Sequence, residues 1–300
     1  MLKRKKISSF DIINYAILTL MMFIFVYPMY YTLIASVSDP NELYSGAVVF
    51  WPKGFTLDGY KYMLETKRIW MGYRNSIMYT FFAVMLCLAL TYPAAYALSK
   101  DYLFGKRIIG ILFVFTMYFS GGLLPTYLIV KGLGLVNKWY TLIVLCGFSV
   151  HNTIVARTYF QSSIDNSLYE AAEMDGCSQL AQFFKIALPL AKPSIAVIAL
   201  YYAVANWNGF MTGLVYVNNS NYYPLQLILR NILLENESLL GMLDLGELSA
   251  SEVELAIIRV RMTEVMKYGI IFVSSLPMLL IYPIVQKHFV KGVMVGAVKG

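Results

Sequence analysis

Six stretches of mostly apolar residues, each near the length that crosses a lipid bilayer, divide this sequence. They cover residues 12–34, 76–98, 108–130, 140–159, 194–217 and 265–285. A hydrocarbon core about 30 Å thick takes about 20 such residues at a helical rise of about 1.5 Å each. A strand alone in lipid would leave its backbone amides and carbonyls unpaired, so each stretch is predicted to be helical. Composition agrees. Of the 300 residues, 59% are hydrophobic and 14% charged, against about 45–50% and about 25% in a soluble domain. The expected fold class is an all-α integral membrane protein with about six transmembrane helices. Gly121, Gly122 and Pro125 in the third stretch, and Pro277 in the sixth, predict local breaks or kinks.

The net charge of +7 is read as topogenic, because membrane proteins keep Lys and Arg on the cytoplasmic side. No basic stripe interleaved with aromatics occurs in a soluble segment, so no nucleic-acid partner is expected. With the N-terminus inside, segments 1–11, 99–107, 157–193 and 286–300 hold 13 Lys/Arg against 6 Asp/Glu, and the outer segments hold 11 of each. Both termini are therefore expected in the cytoplasm, the chain lying in a bacterial cytoplasmic membrane. The cluster from Met1 to Lys6 precedes an apolar run longer than the 7–15 residues of a signal peptide, which predicts a retained first helix.

Cys87, Cys146 and Cys177 stand far apart, and His151 and His288 are isolated, so no metal site is expected. No phosphate-binding G-x-x-x-x-G-K-[ST] loop occurs; Gly105-Lys106 is followed by Arg107 and lacks the upstream glycine. No Ser/His/Asp, HExxH or Cys/His constellation marks an enzyme. Long connections are expected at 38–75 outside, 161–192 inside and 218–264 outside. The last has Ser249–Glu252 and Ser251–Glu254 at capping-box spacing, with helices of its own expected.

The inner connection carries the most information. Ser167 and Glu170 have capping-box spacing and predict a short helix with Leu168, Ala171 and Ala172 on one side. Gly176 interrupts the run, Phe183, Phe184 and Ile186 mark a second amphipathic piece, and Pro189 and Pro193 are expected to stop it. A helix–turn–helix at the cytoplasmic face follows. Two readings fit it: a docking knob whose small residues admit another protein's surface, or an amphipathic helix lying in the headgroups.

Glu170-Ala171-Ala172, three residues, Gly176, nine residues and Ile186-Ala187-Leu188-Pro189 resemble the EAA motif of ABC importer permeases, EAA-x3-G-x9-I-x-L-P, at every fixed position. The preceding Asp175 also has the usual family form. The resemblance extends over nearly the whole chain and is nearest to maltose-type carbohydrate permeases, within them the lipoprotein/polygalacturonan group. Residues 53–60 resemble the family's GFTLxNY segment, with Gly59 where Asn is commoner. Asn206-Trp207-Asn208 with Tyr223-Pro224-Leu225-Gln226, and 286–300, resemble the subgroup's fifth helix, following loop and tail.

The resemblance implies a type I importer fold, divided as 1–74 (tail, first helix, outer loop), 75–285 (permease core) and 286–300 (cytoplasmic tail). It implies a second permease subunit, two ATPase subunits, an extracellular solute-binding protein and a carbohydrate substrate. ATP and Mg would be used by the ATPase partners, this chain binding no cofactor. Glu170, Ala171, Ala172, Asp175 and Gly176 would be the ATPase coupling seat, and Val298, Lys299 and Gly300 would reach toward the same partner. Asn206, Trp207 and Asn208 lie deep in the fifth stretch, where amides should face protein or a wet cavity. They fit either a sugar path or interhelical packing beside Gly209-x-x-x-Gly213. The outer loop with Tyr222 and Tyr223 fits a binding-protein contact or a solvated loop. A permease for a non-sugar solute and a secondary transporter are the competing functions; the second is disfavoured by the absence of repeats and of paired carboxylates in any span.

Overall fold

The computed structural model describes residues 9–245 and 250–297. Among them the regular elements are all helical. In chain order they are α1 (Ser9–Ser36), α2 (Pro40–Tyr44), α3 (Asp58–Glu65), α4 (Lys67–Ser99), α5 (Lys106–Tyr118) and α6 (Leu123–Gly132). There follow α7 (Thr141–Val144), α8 (Val150–Ser163), α9 (Asn166–Met174), α10 (Gln179–Gln182), α11 (Leu188–Leu190), α12 (Lys192–Asn208), α13 (Met211–Tyr216), α14 (Leu225–Asp244) and α15 (Ala250–Ala297). The chain divides into two compact units, one of Met1–Ile69 with Leu229–Leu276, the other of Trp70–Ile228 with Pro277–Gly300.

Three segments are long and apolar enough to cross a membrane unaided: Ser9–Ser36, Lys67–Ser99 and Glu252–Gln286. Two bent pairs could supply further spans, α5 with α6 at 112° and Gln179–Leu190 with Lys192–Asn208 at 78°. The break expected near Gly121 and Gly122 is present, with Gly122 at φ 82° opening α6. At Pro277, by contrast, α15 continues without interruption. Two expected stretches are corrected. The fourth, 140–159, is split between α7 and α8, because Ser149 adopts an extended conformation and caps α8 by accepting from the Asn152 amide. The fifth, 194–217, is interrupted after Asn208, where Gly209 is extended.

Such breaks free backbone groups that hydrocarbon cannot satisfy. In the second unit, α4 answers the break before α8 and also holds the connection before α14. Its Ser76 hydroxyl accepts from the Leu225 amide at 2.8 Å, and Asn75 Nδ2 donates to the carbonyls of Asn221 and Tyr223 at 2.8 and 3.1 Å. Tyr79 donates to Tyr222 O at 3.0 Å, and the Cys87 thiol to Cys146 O at 3.1 Å. Thr91 is hydrogen-bonded to the Tyr202 hydroxyl at 2.7 Å, and that same oxygen accepts from the Ser149 amide at the head of α8. Ser76, Tyr79, Cys87 and Thr91 are three, eight and four residues apart, spacings that keep them near one helix face. Around them Ala83, Cys87, Tyr92, Ala95 and Tyr96 are buried.

In the first unit α1 is buried only at its end, at Ile34, Ala35 and Ser36. Ser38 there donates to Ile34 O at 2.7 Å and accepts from the Lys53 amide, and Ser36 is hydrogen-bonded to the Tyr60 hydroxyl at 2.8 Å. Along the rest of α1 the apolar side chains point outward, and none of its most apolar window is buried in the chain. Lipid is the solvent that surface requires.

The departure at Gly59 has a local cause. A Cβ at this position would lie 2.6 Å from Val265 Cγ1, 3.2 Å from the Val265 carbonyl carbon and 3.3 Å from the Met266 amide. Backbone cannot yield as a flexible side chain can, so α3 meets α15 at a distance only glycine allows. Restoring the family's usual residue with Gly59→Asn should destabilise the purified chain by about 1–3 kcal/mol, the usual range for an overpacked site. A lowered thermal midpoint in detergent is the expected reading, and an unchanged midpoint would contradict the close approach.

Candidate functional site

The segment from Ile164 to Ala191 forms two helical arms about a turn. The first arm, α9, starts one residue pair earlier than the expected Ser167 cap. Asp165 is the N-cap, extended at φ −68° and ψ 135°, and its carboxylate accepts from the Ser167 amide at 3.0 Å. A carboxylate both satisfies an orphan amide and sits well beside the positive end of the helix; Ser167 is already inside the first turn.

The turn explains Gly176. The Gly176 amide donates to Glu173 O at 3.0 Å and the Cys177 amide to Ala172 O at 2.8 Å, the paired bonds of a Schellman motif. The residue after the cap must then be left-handed, and Gly176 has φ 74°. Nothing lies within 4 Å of the place its Cβ would occupy, so backbone conformation, not crowding within the chain, selects glycine here.

The second arm begins at Ser178, whose hydroxyl accepts from the Ala181 amide at 3.3 Å. It widens to a π-turn at Phe183–Ala187, where the Leu188 amide reaches back to Phe183 O just before the donor-less Pro189. The expected stop at Pro189 and Pro193, before the fifth stretch, is present. The arm runs to Leu190 and turns by 78° into α12, with Pro193 in its first turn, where a missing amide costs little.

The predicted seat residues fall on two faces. Ala172 is buried with Tyr169, whereas Glu170, Ala171, Asp175 and Gly176 are exposed. Exposed beside them are large apolar side chains, Met174 at 89%, Leu180 at 72% and Phe184 at 63%. Behind them, the buried face meets the end of α4. Tyr96 packs on Tyr169, Phe160 and Phe183 at ring separations of 6.1, 5.7 and 5.1 Å. The half-buried Lys100 places Nζ 3.1 Å from the Tyr169 ring centre and 4.7 Å from that of Tyr96. Burial draws the Lys100 ammonium down to about 8, with Glu173 acting the other way, and pushes the Tyr169 phenol up to about 12. Sequence reasoning missed Tyr96, Lys100 and Tyr102; only their place at the inner end of the second apolar stretch hinted at them.

Asn206, Trp207 and Asn208 are not gathered into one site. Trp207 is buried edge-on to Tyr73 at 5.9 Å, and Asn208 is exposed. Asn206 lines a cavity of about 120 Å³ with Ser76, Tyr79, Cys146 and Thr212. Gly213 approaches closely, its Cβ position lying 3.0 Å from Pro224 Cδ. In the outer loop, α14 and the start of α15 supply the expected helices; Ser251 lies within α15 and does not cap it, while Ser249 lies outside the described residues. Met1–Lys6 and Val298, Lys299 and Gly300 also lie outside them.

The sequence matches the family model described as binding-protein-dependent transport system inner membrane component over residues 69–293. It is 37% identical to the polygalacturonan/rhamnogalacturonan transport system permease protein YtcP of Bacillus subtilis (strain 168), covering 97% of this chain and 98% of that one. Protein LplC of the same organism is also 37% identical, over 97% and 95%. A crystal structure of a bacterial ABC transporter involved in the import of the acidic polysaccharide alginate contains a chain with a TM-score of 0.81 and 32% identity, covering 93% of this chain and 96% of that one.

Because the turn is held by backbone conformation, Gly176→Val should loosen it by about 1–2 kcal/mol, the cost of a left-handed L-residue, while Gly176→Asn costs less. Tryptic cleavage after Lys185 should quicken in the valine variant and change little in the asparagine one. Equal rates in both would show that the turn does not depend on φ. Asp165→Ala should loosen α9 by about 1 kcal/mol through its lost cap.

Proposed function

Since the chain belongs to the binding-protein-dependent transport system inner membrane component family, we propose that it is the membrane-embedded permease subunit of an ATP-driven importer for an oligosaccharide. In this reading it pairs with a second permease around one path. Two ATPase subunits dock on its cytoplasmic side, where ATP and Mg are used, and an external binding protein delivers the sugar. Both termini face the cytoplasm. The substrate reading rests on the relatives: one is named for polygalacturonan/rhamnogalacturonan transport and another for import of the acidic polysaccharide alginate, so an acidic oligosaccharide is the first substrate to try.

The observation that carries the coupling role is the exposed surface around Gly176. Glu170, Ala171, Met174 and Leu180 present small, apolar and acidic groups together on a rigid turn, while the opposite face is packed against α4. A helix lying in headgroups would favour Lys and Arg on its polar face; α9 carries Glu170 and Glu173 and no basic residue. That favours a protein groove over lipid. ATP-driven movement of the ATPases then displaces α9 and switches the path between its two accessible states.

Glu170→Arg combined with Ala171→Arg changes two exposed positions that α9 does not need for folding. Recovery of the ATPase with the purified permease pair should fall at least ~tenfold, equivalent to about 1.4 kcal/mol of binding. ATP-driven uptake of an oligogalacturonide into proteoliposomes should fall with it, at an unchanged thermal midpoint. Full recovery of ATPase and full uptake would sink the docking role.

A further inference from the structure

One short stretch at the inner end of α4 meets both arms of the loop. Tyr96, Lys100 and Tyr102 touch both arms, on either side of the Gly176 turn. On the first arm, Lys100 Nζ stands over the rings of Tyr169 and Tyr96. On the second, Tyr102 donates to Gln179 Oε1 at 2.5 Å and Tyr96 packs on Phe183. Among the described residues, the buried phenol oxygens of Tyr96 and Tyr169 have no hydrogen-bond partner. Their ring faces, not their hydroxyls, therefore make the joint.

A cation over a ring face resists sideways displacement, because the attraction is strongest over the ring's negative face and is strengthened by partial removal from water. A purely aliphatic contact would allow slip. The joint also ends on α4, the helix whose Asn75, Ser76 and Tyr79 hold the connection before α14 and whose Cys87 and Thr91 hold the break before α8. Whatever moves α4 moves those groups too.

We propose that Lys100 is a positioning residue for energy coupling: seated over Tyr169 and Tyr96, it locks α9 to the inner end of α4, so that a push on α9 reaches the spans as the movement of one rigid piece. This rests on the reading of α9 as the ATPase-docking helix. Lys100 itself touches neither ATP nor sugar.

The test uses the full chain with its partner permease and ATPase, its three cysteines replaced by serine, and spin labels at the exposed Leu90 of α4 and the exposed Asn166 of α9, outside the docking surface. Label separation is measured without nucleotide and after trapping with ATP and vanadate. In the parent, Lys100→Arg and Tyr169→Phe proteins the separation should be the same in both states. In Lys100→Gln and Tyr169→Leu it should shift or broaden on trapping, with ATP hydrolysis continuing. A merely structural loss would not be rescued by arginine or by phenylalanine. If Lys100→Gln does not fold, the Tyr169 pair carries the comparison. An unchanged separation in Lys100→Gln and Tyr169→Leu overturns the proposal, as does an equal shift in Lys100→Arg. If the Glu170 and Ala171 double variant still loses the ATPase while the Lys100 and Tyr169 variants behave as the parent, only the lock fails. If that double variant keeps the ATPase, the docking reading itself fails.

Discussion

Hydrocarbon offers no partner to a backbone amide, and each break in a spanning helix must therefore find one within the protein. In the second unit one helix, α4, answers the break between α7 and α8 and also holds the connection before α14. Cys87 bonds Cys146 O in that break and Thr91 fixes the tyrosine that bonds the Ser149 amide, while Asn75, Ser76 and Tyr79 bond backbone groups at 221–225. An unmade hydrogen bond at such a site costs several kcal/mol, more than an ordinary apolar contact returns. The arrangement of the second unit thus follows from where α4 places its small polar groups. Uninterrupted helix through α4 is a requirement of that role, since a helix with its own orphan amides could not serve others.

The same logic accounts for the segment we propose as the coupling element. Outside the hydrocarbon, α9 can end on a cap and a left-handed glycine, both of which satisfy backbone groups locally. Its buried face then needs only ring packing against Tyr96, which leaves the outer face free of structural duties. Glu170, Ala171 and Met174 are consequently available for a partner.

Much of this was legible in the sequence because it depends on period and composition. Apolar runs of spanning length identified α1, α4 and the apolar part of α15, and the EAA spacing located the turn. What escaped depends on choices between neighbours. Asp165, not Ser167, is the cap, because its carboxylate takes the Ser167 amide and so draws Ser167 inside the first turn. The fourth and fifth stretches read as continuous since hydropathy does not register an extended Ser149 or Gly209. Trp207 looked available for stacking, yet Tyr73, far away in sequence, covers it. Lys100 was read only as an inner charge, for nothing in its spacing announces two rings drawn from separate helices.

The left-handed turn also constrains how this position can drift. Glycine codons are one base change from serine, arginine, cysteine, tryptophan, alanine, valine, aspartate and glutamate, and asparagine lies two changes away. Of those within one step, aspartate is the residue at ease with φ near 74°, and it would bring a negative charge to the already negative end of α9. Every single-base route out of Gly176 therefore meets either a steric or an electrostatic cost, and the codon is held in place by the geometry of the backbone before any partner is considered.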